Sequence, residues 1–411
     1  MKENHQVIFQ TFTKTVRDIV NKSISSEEVL KSVLGNISEQ NSTINAIVTL
    51  DAKSALKQSK ETDMMLAKGK VIGPLHGIPI TIKDNFEVSG MRSTASHKPF
   101  YENIPKKDAT AVARLRGAGA IIIGKTNLPE LAADFQTNSP LFGRTNNPWD
   151  LNRTPGGSTG GGAAAVAAGM SFLELGNDML GSIRIPAHFC GIHGFVPTIN
   201  TVPRAGMLPK TFSGGTLDHF VRTGILARSV EDIITGFNVI KGPDDMDLNT
   251  MPLNLSQRQT KNTDKLKIAW IDSAPGVPVS KDIRNAMGRF MYRLKNEGHT
   301  VEKVDEAAFN FALAAKVFAA IFYTTIGVNM PGIIRMAARF AGRNKYFNLS
   351  IKNYCEAEAK RFELINNLES FFSRWDILIC PVTSTTAFHH QKPSRYMGRM
   401  PVYRQGIKVD D

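Results

Sequence analysis

The sequence predicts an α/β protein, on three observations. Short apolar runs rich in β-branched residues recur at 78–82, 120–123, 265–271, 300–304 and 375–380. Between them lie stretches with apolar residues at helical spacing. The 411 residues are 42% hydrophobic, which is ample for a large core. Alternation of this kind builds helices against sheet.

In order, residues 6–65 read as helices, with Ser25 and Ser26 ahead of Glu27 and Glu28 as a helix start. Residues 52–67 continue at helical spacing. Gly73-Pro74-Leu75-His76-Gly77 is a turn, and the strand after it ends at Lys83. Residues 109–116 are helical and 120–123 form a buried strand. Residues 136–162, rich in Asn, Pro, Gly and Thr, read as a long ordered loop, and such loops carry function. Residues 163–169 form a helix of small residues, and 171–200 bring a second glycine-containing loop. Residues 230–240 are helical, 242–264 a polar surface excursion, and 283–294 a helix. Residues 309–340 form an aromatic-rich helical stretch, the source of a hydrophobic acyl pocket or of ordinary core packing. Internal repeats and low-complexity tracts are absent from the sequence.

The formal net charge is +13. Its densest stretch, residues 335–361, is too scattered for a basic arm, so a solvated face is expected and nucleic acid is not. Three cysteines at wide spacing form neither a disulfide framework nor a metal site, and no metal or cofactor is expected. The N-terminus lacks an apolar signal core, and the dense apolar patch 317–323 is too short to cross a bilayer. A cytoplasmic protein acting on a small molecule is the expectation, with homodimerisation left open.

Three segments carry candidate chemistry. Lys83 closes an apolar strand. Such a lysine is ordinarily solvated, but in a dry site desolvation lowers its pKa and makes it a base. The run Gly156-Gly157-Ser158-Thr159-Gly160 matches the nucleophile elbow G-x-S-x-G. That elbow needs a strand before it, and residues 148–155 do not form one. The third is Gly176-Asn177-Asp178-Met179-Leu180-Gly181-Ser182-Ile183-Arg184. A serine after a tight turn can face backbone N–H groups that stabilise an oxyanion, although a Gly-Ser pair alone is more often a structural turn.

Taken together, these segments resemble the amidase signature family. The resemblance rests on Leu75-His76-Gly77-Ile78-Pro79-Ile80-Thr81-Ile82-Lys83, Gly124-Lys125-Thr126-Asn127-Leu128-Pro129-Glu130, the Ser158 loop, and Gly181-Ser182-Ile183-Arg184-Ile185-Pro186-Ala187. Further matches are Arg144-Thr145-Asn146-Asn147-Pro148-Trp149-Asp150, Ala227-Arg228-Ser229 and Cys380-Pro381. The likeness implies a single large domain over 1–411, with its signature core at about 73–240. It also implies a mixed, mostly buried central β-sheet covered by helices on both faces. It implies hydrolysis of non-peptide carboxamide bonds through an acyl-enzyme. Lys83 matches the family's lysine, Ser158 its cis-peptide serine and Ser182 its nucleophile. The backbone N–H groups of Met179, Leu180, Gly181 and Ser182 match its oxyanion hole. Asp134, Gln136 and Asn138 fall in a loop that contacts substrate in relatives. Arg184 either binds an anionic substrate group or pairs with Asp178.

The sequence departs from the family at three places. Leu180 stands where glycine is usual, so strain or crowding of the oxyanion loop is expected. Thr159 replaces a second serine and keeps a hydroxyl. Only 30 residues follow Pro381, and the usual Gly- and Pro-rich segment is not among them, so an apparently truncated end is expected. Two of these features make a catalytically impaired relative an alternative. A second alternative is the tRNA-dependent amidotransferase A-type subunit, although Ile185 stands where that branch usually has glutamine. A rival of another class is a P-loop protein, because residues 119–126 fit G-x-x-x-x-G-K-[ST]. Ala120-Ile121-Ile122-Ile123 argues against it, being a strand rather than a phosphate-cradling loop.

Overall fold

The computed structural model describes residues 7–210, 217, 220–252, 265–273, 277–305, 310–328 and 351–392. They fall into two compact units, the first with the described residues up to 252 and 387–392, the second with those from 265 to 386. In the first, helices α1 (Phe12–Val20) and α2 (Ser26–Ile44) precede strand β1 (Ile47–Leu50) and helix α3 (Ala52–Ala67). Ser25 caps α2 in a reciprocal capping box with Glu28, as the Ser-Ser-Glu-Glu run predicts. Then come β2 (Pro79–Lys83), α4 (Thr110–Gly117), β3 (Ile121–Thr126) and a hairpin of β4 (Asn138–Ser139) and β5 (Gly143–Arg144). Helix α5 (Gly160–Ala167), β6 (Leu173–Asp178), α6 (Arg184–Cys190), β7 (His193–Phe195), β8 (Arg222–Ala227) and α7 (Val230–Ile240) follow.

Six of these strands form the central mixed sheet, in the order β1-β3-β2-β6-β8-β7. Strands β3, β2 and β6 are mutually parallel, β1 pairs antiparallel with β3, β8 antiparallel with β6, and β7 antiparallel with β8. Every residue of β2, β3 and β6 is buried, as expected of parallel strands flanked by helices. The second unit holds β9 (Lys267–Trp270), helix α8 (Lys281–Asn296), β10 (Thr300–Lys303), helices α9 (Phe311–Val328) and α10 (Ile351–Phe372) and β11 (Ile377–Ile379). Its three strands are parallel, in the order β10-β9-β11. The remainder of the expected aromatic-rich helix beyond 328, and the basic residues 335–350, lie outside the described residues.

The structure corrects the sequence reading at several elements. Strands β1, β6, β7 and β8 are not expected from local pattern, which reads 47–50 as part of a helix and 171–200 as a loop. β6 reads Leu-Glu-Leu-Gly-Asn-Asp, a composition poor in strand formers, and pairs in full register with β8. Its polar residues are buried because tertiary partners receive them. Helix α5 starts three residues earlier than expected, inside the glycines. A Cβ at Gly161 would lie 2.4 Å from the Asn127 nitrogen, so only glycine lets this helix approach that backbone.

Candidate active site

β2 and β6 are parallel neighbours, with Thr81 opposite Glu174 and Ile82 opposite Leu175. Their C-terminal ends therefore meet at one edge of the sheet, where ligands of open α/β sheets bind. Lys83 ends one strand and Asn177-Asp178 the other. Lys83 is fully buried, and its Nζ lies 2.7 Å from Ser158 Oγ, 2.7 Å from Asn177 Oδ1 and 3.5 Å from the Asn177 carbonyl oxygen. Burial pulls its pKa down to about 7, against the opposing charges of Asp178 and Glu174. A neutral amine has two hydrogens and one lone pair. With the two hydrogens given to the Asn177 oxygens, the lone pair faces Ser158 Oγ.

Ser158 is held from both sides. The Gly157–Ser158 peptide bond is cis. Next to it, Thr159 N–H donates to the Ser182 carbonyl at 3.0 Å, which sets the Ser182 loop against the Ser158 loop. Thr159 Oγ1 also donates to the Asn177 carbonyl at 3.4 Å, so the threonine does use its retained hydroxyl. Of the three sequence-matched residues, Lys83 and Ser158 are inaccessible and Ser182 is 9% exposed. This order suits a base at the bottom, a relay and a reactive hydroxyl at the surface of the site.

Asp178 shapes the loop that carries Ser182. Its carboxylate accepts from Gly181 N–H at 2.8 Å and Ile183 N–H at 2.9 Å, and from Arg184 Nε at 3.1 Å and an Arg184 terminal nitrogen at 2.8 Å. Burial works to raise its pKa, but the Arg184 guanidinium and these N–H groups outweigh it and hold the carboxyl below its usual range. Of the two roles open to Arg184, the structure shows the ion pair.

Gly181 N–H is engaged by Asp178, which corrects its expected place among the oxyanion donors. Among the described residues, the N–H groups of Met179, Leu180 and Ser182 have no acceptor. Gly181 contributes conformation instead: its φ is +111°, a region closed to most side chains. Leu180, by contrast, has no positive φ. The strain expected there is absent because the left-handed residue of the loop is Gly181.

The segment 134–138 also reaches the site. A Cβ on Gly157 would lie 2.7 Å from the Asp134 carbonyl oxygen and 2.9 Å from the Gln136 nitrogen, so this backbone rests on the Ser158 loop. Thr137 Oγ1 donates to the Gly156 carbonyl at 2.9 Å. Gln136 is buried, its Oε1 accepting the Gln391 N–H at 2.8 Å.

Sequence reasoning missed Asn177 and Glu174. Glu174 is fully buried on β6, accepts from Thr126 Oγ1, and is pushed by burial up to about 7. A buried acid in a strand, two residues from glycine, was the available signal. The P-loop string is strand β3. Lys125 is fully buried and donates to Phe86 O at 2.7 Å, Ser93 Oγ at 2.8 Å and Asp84 at 3.3 Å, so it is spent on the core. His76 is fully buried with Nδ1 accepting from Ile72 N–H, whereas His193 is exposed.

A central mixed sheet with a buried lysine against a cis-peptide serine, beside a Gly-Ser loop, defines an amide-cleaving enzyme of the amidase signature class, and likeness to known proteins agrees. The amidase family model matches residues 28–409, and the chain belongs to that family. It is 33% identical over 434 residues to the A subunit of the glutamyl-tRNA(Gln) amidotransferase of Natranaerobius thermophilus, covering 98% of this chain and 83% of that protein. The corresponding protein of Geobacillus thermodenitrificans is 34% identical over 400 residues, 89% of this chain and 81% of its own length. Among solved structures, an amidase superposes with a TM-score of 0.74 at 28% identity, covering 93% of this chain and 84% of the other. A fatty acid amide hydrolase shares the fold, with a TM-score of 0.83 at 24% identity over 95% of this chain and 70% of that one. No helix among the described residues is long and apolar enough to cross a membrane.

Proposed function

We propose that the protein hydrolyses small-molecule carboxamides through an acyl-enzyme on Ser182. The observation that carries this is the 2.7 Å contact between a dry, neutral-capable Lys83 Nζ and Ser158 Oγ, with Ser182 tied to the same loop. Neutral Lys83 takes the Ser158 hydroxyl proton as Ser158 takes that of Ser182. Ser182 Oγ then bonds to the amide carbon. The carbonyl oxygen becomes an oxyanion, received by the free N–H groups of Met179, Leu180 and Ser182. The relay returns the proton to the departing nitrogen as the C–N bond breaks. Water, deprotonated along the same path, attacks the ester and releases the acid and free Ser182. A fluorophosphonate probe followed by peptide mapping is expected to label Ser182, and Ser182→Ala to remove both labelling and turnover. Labelling on Ser158 instead would overturn the assignment.

A second reading is supported by the relatives at 33–34% identity, which are amidotransferase subunits. In that reading the same Ser182 chemistry supplies an amide nitrogen to a tRNA-bound acid within a complex. Ile185 in place of glutamine weighs against it. Assay of glutamine-dependent amidation of glutamyl-tRNA, with partner subunits from a relative added, separates the two. Transamidation there, with no hydrolysis of free amides, favours the second reading.

A further inference from the structure

A pocket of about 200 Å³ opens beside the Ser158 loop, lined by Gln136, Thr137, Arg144, His390, Gln391 and Lys392. It shares a wall with the site, since the Gln136 backbone rests against Gly157. Gln136 is 3% exposed. Its Oε1 is used by the Gln391 N–H, which leaves the donor end, Nε2, buried and unpartnered. Gln391 Oε1 is likewise buried without a partner. A buried polar atom left unpaired in a native fold calls for an explanation, and a ligand is one. Arg144 and Lys392 are not ion-paired among the described residues. Of the nearby acids, Asp150 is engaged by Arg153 at 3.0 Å, and Asp134 accepts the Gln136 N–H at 3.2 Å. His390 Nε2 donates to the Leu151 carbonyl at 3.3 Å, and burial foremost, then the Arg144 charge, lowers its pKa. The pocket's charge at neutral pH is therefore that of Arg144 and Lys392.

We propose that this pocket is a carboxylate subsite: Arg144 and Lys392 neutralise the anion, Gln136 Nε2 donates to it, and Gln391 Oε1 accepts from an N–H or O–H carried beside it. The substrate class is then amides bearing a carboxylate, with an amino or hydroxyl group near it. The dianion of a phosphate monoester presents only acceptors and would face Gln391 Oε1 unfavourably, so a carboxylate flanked by a donor fits the lining better. The inference rests on the hydrolytic reading of Ser182 and names the substrate of that site.

The test compares γ-glutamyl-4-nitroanilide and 4-acetamido-2-hydroxybenzoate, each with a donor beside its carboxylate, with their methyl esters. The carboxylate form of at least one is expected to show a kcat/KM about 10- to 100-fold higher than its ester. Arg144→Gln and Lys392→Gln should each cut that preference about tenfold, chiefly through KM. Equal rates for acid and ester in both pairs, or a preference that survives both substitutions, overturns the subsite. Phenyl phosphate competing as well as glutamate also overturns it, leaving a generic anion site. Fluorophosphonate labelling of Ser182, with a neutral probe, is read separately. If labelling fails, the hydrolytic reading has failed; if labelling succeeds without carboxylate preference, the pocket proposal alone has failed.

Discussion

Lys83 depends for its chemistry on what surrounds one nitrogen. Its pKa of about 7 comes from burial, and the two Asn177 oxygens fix where its hydrogens point. Below pH 7 the amine is protonated and cannot accept from Ser158, so turnover is expected to fall toward acid with a midpoint near 7 in the pH–kcat/KM profile. Lys83→Ala is expected to lower the rate about 100- to 10,000-fold, the usual worth of a positioned base. Asn177→Asp would set a carboxylate against Nζ and favour the ammonium. Its acid limb is expected to move up by about one to two pH units. An unmoved limb would show that Lys83 is not the group that titrates. At Leu180, an ordinary backbone conformation predicts that Leu180→Gly brings no gain in melting temperature.

At the scale of elements, the catalytic edge is built by close approach and by one carboxylate. Helix α5 begins on three glycines, and a Cβ on Gly161 would meet both the nitrogen and the carbonyl oxygen of Asn127 within 2.5 Å. In an exposed helix, Gly→Ala stabilises by about 1 kcal/mol. Here the sign reverses: Gly161→Ala is expected to destabilise by about 3 kcal/mol or more, an overpacking cost read by denaturant titration. The Ser182 loop answers to Asp178. Asp178→Ala strips the acceptor from the Gly181 and Ile183 N–H groups, and is expected to cost about 2–4 kcal/mol while lowering kcat more than it changes KM.

Across the whole molecule, the same buried groups couple stability to pH. Glu174 rises from 4.5 to about 7 on folding because it is fully buried. Between those values the folded state binds more protons than the unfolded, so this group's contribution falls as pH rises from 4.5 to 7 and is level above. Lys83 drops from 10.5 to about 7. Between those values the unfolded state binds more protons, so stability rises with pH there. Together they place the greatest cost of the site around neutral pH. Glu174→Gln removes the acid half. Denaturant midpoints of the parent are expected to decline relative to that variant from pH 4.5 to 7, and parallel curves would refute it. Two of the chain's lysines, Lys83 and Lys125, lie wholly inside.

Local pattern made much of this legible. Helices α2, α3, α4, α7 and α8 and strands β2, β3, β9, β10 and β11 follow from periodicity, caps and turn signals, and the candidates Lys83, Ser158 and Ser182 come from the family resemblance. Those signals depend on neighbours a few residues apart along the chain. Strands β6 and β8, the early start of α5, the engagement of Gly181 by Asp178, and the roles of Asn177 and Glu174 did not follow. Each involves polar or glycine residues whose local preference is against their place, and most are held there by partners distant in sequence: Lys83 lies 94 residues from Asn177, and Thr126 lies 48 from Glu174. The sequence by itself, through its family likeness, determined which side chains are candidates for amide chemistry. Only the tertiary structure decided which of them are dry, which way the lysine's hydrogens point and which backbone donors stay free, because desolvation and hydrogen-bond competition exist only after distant segments have packed.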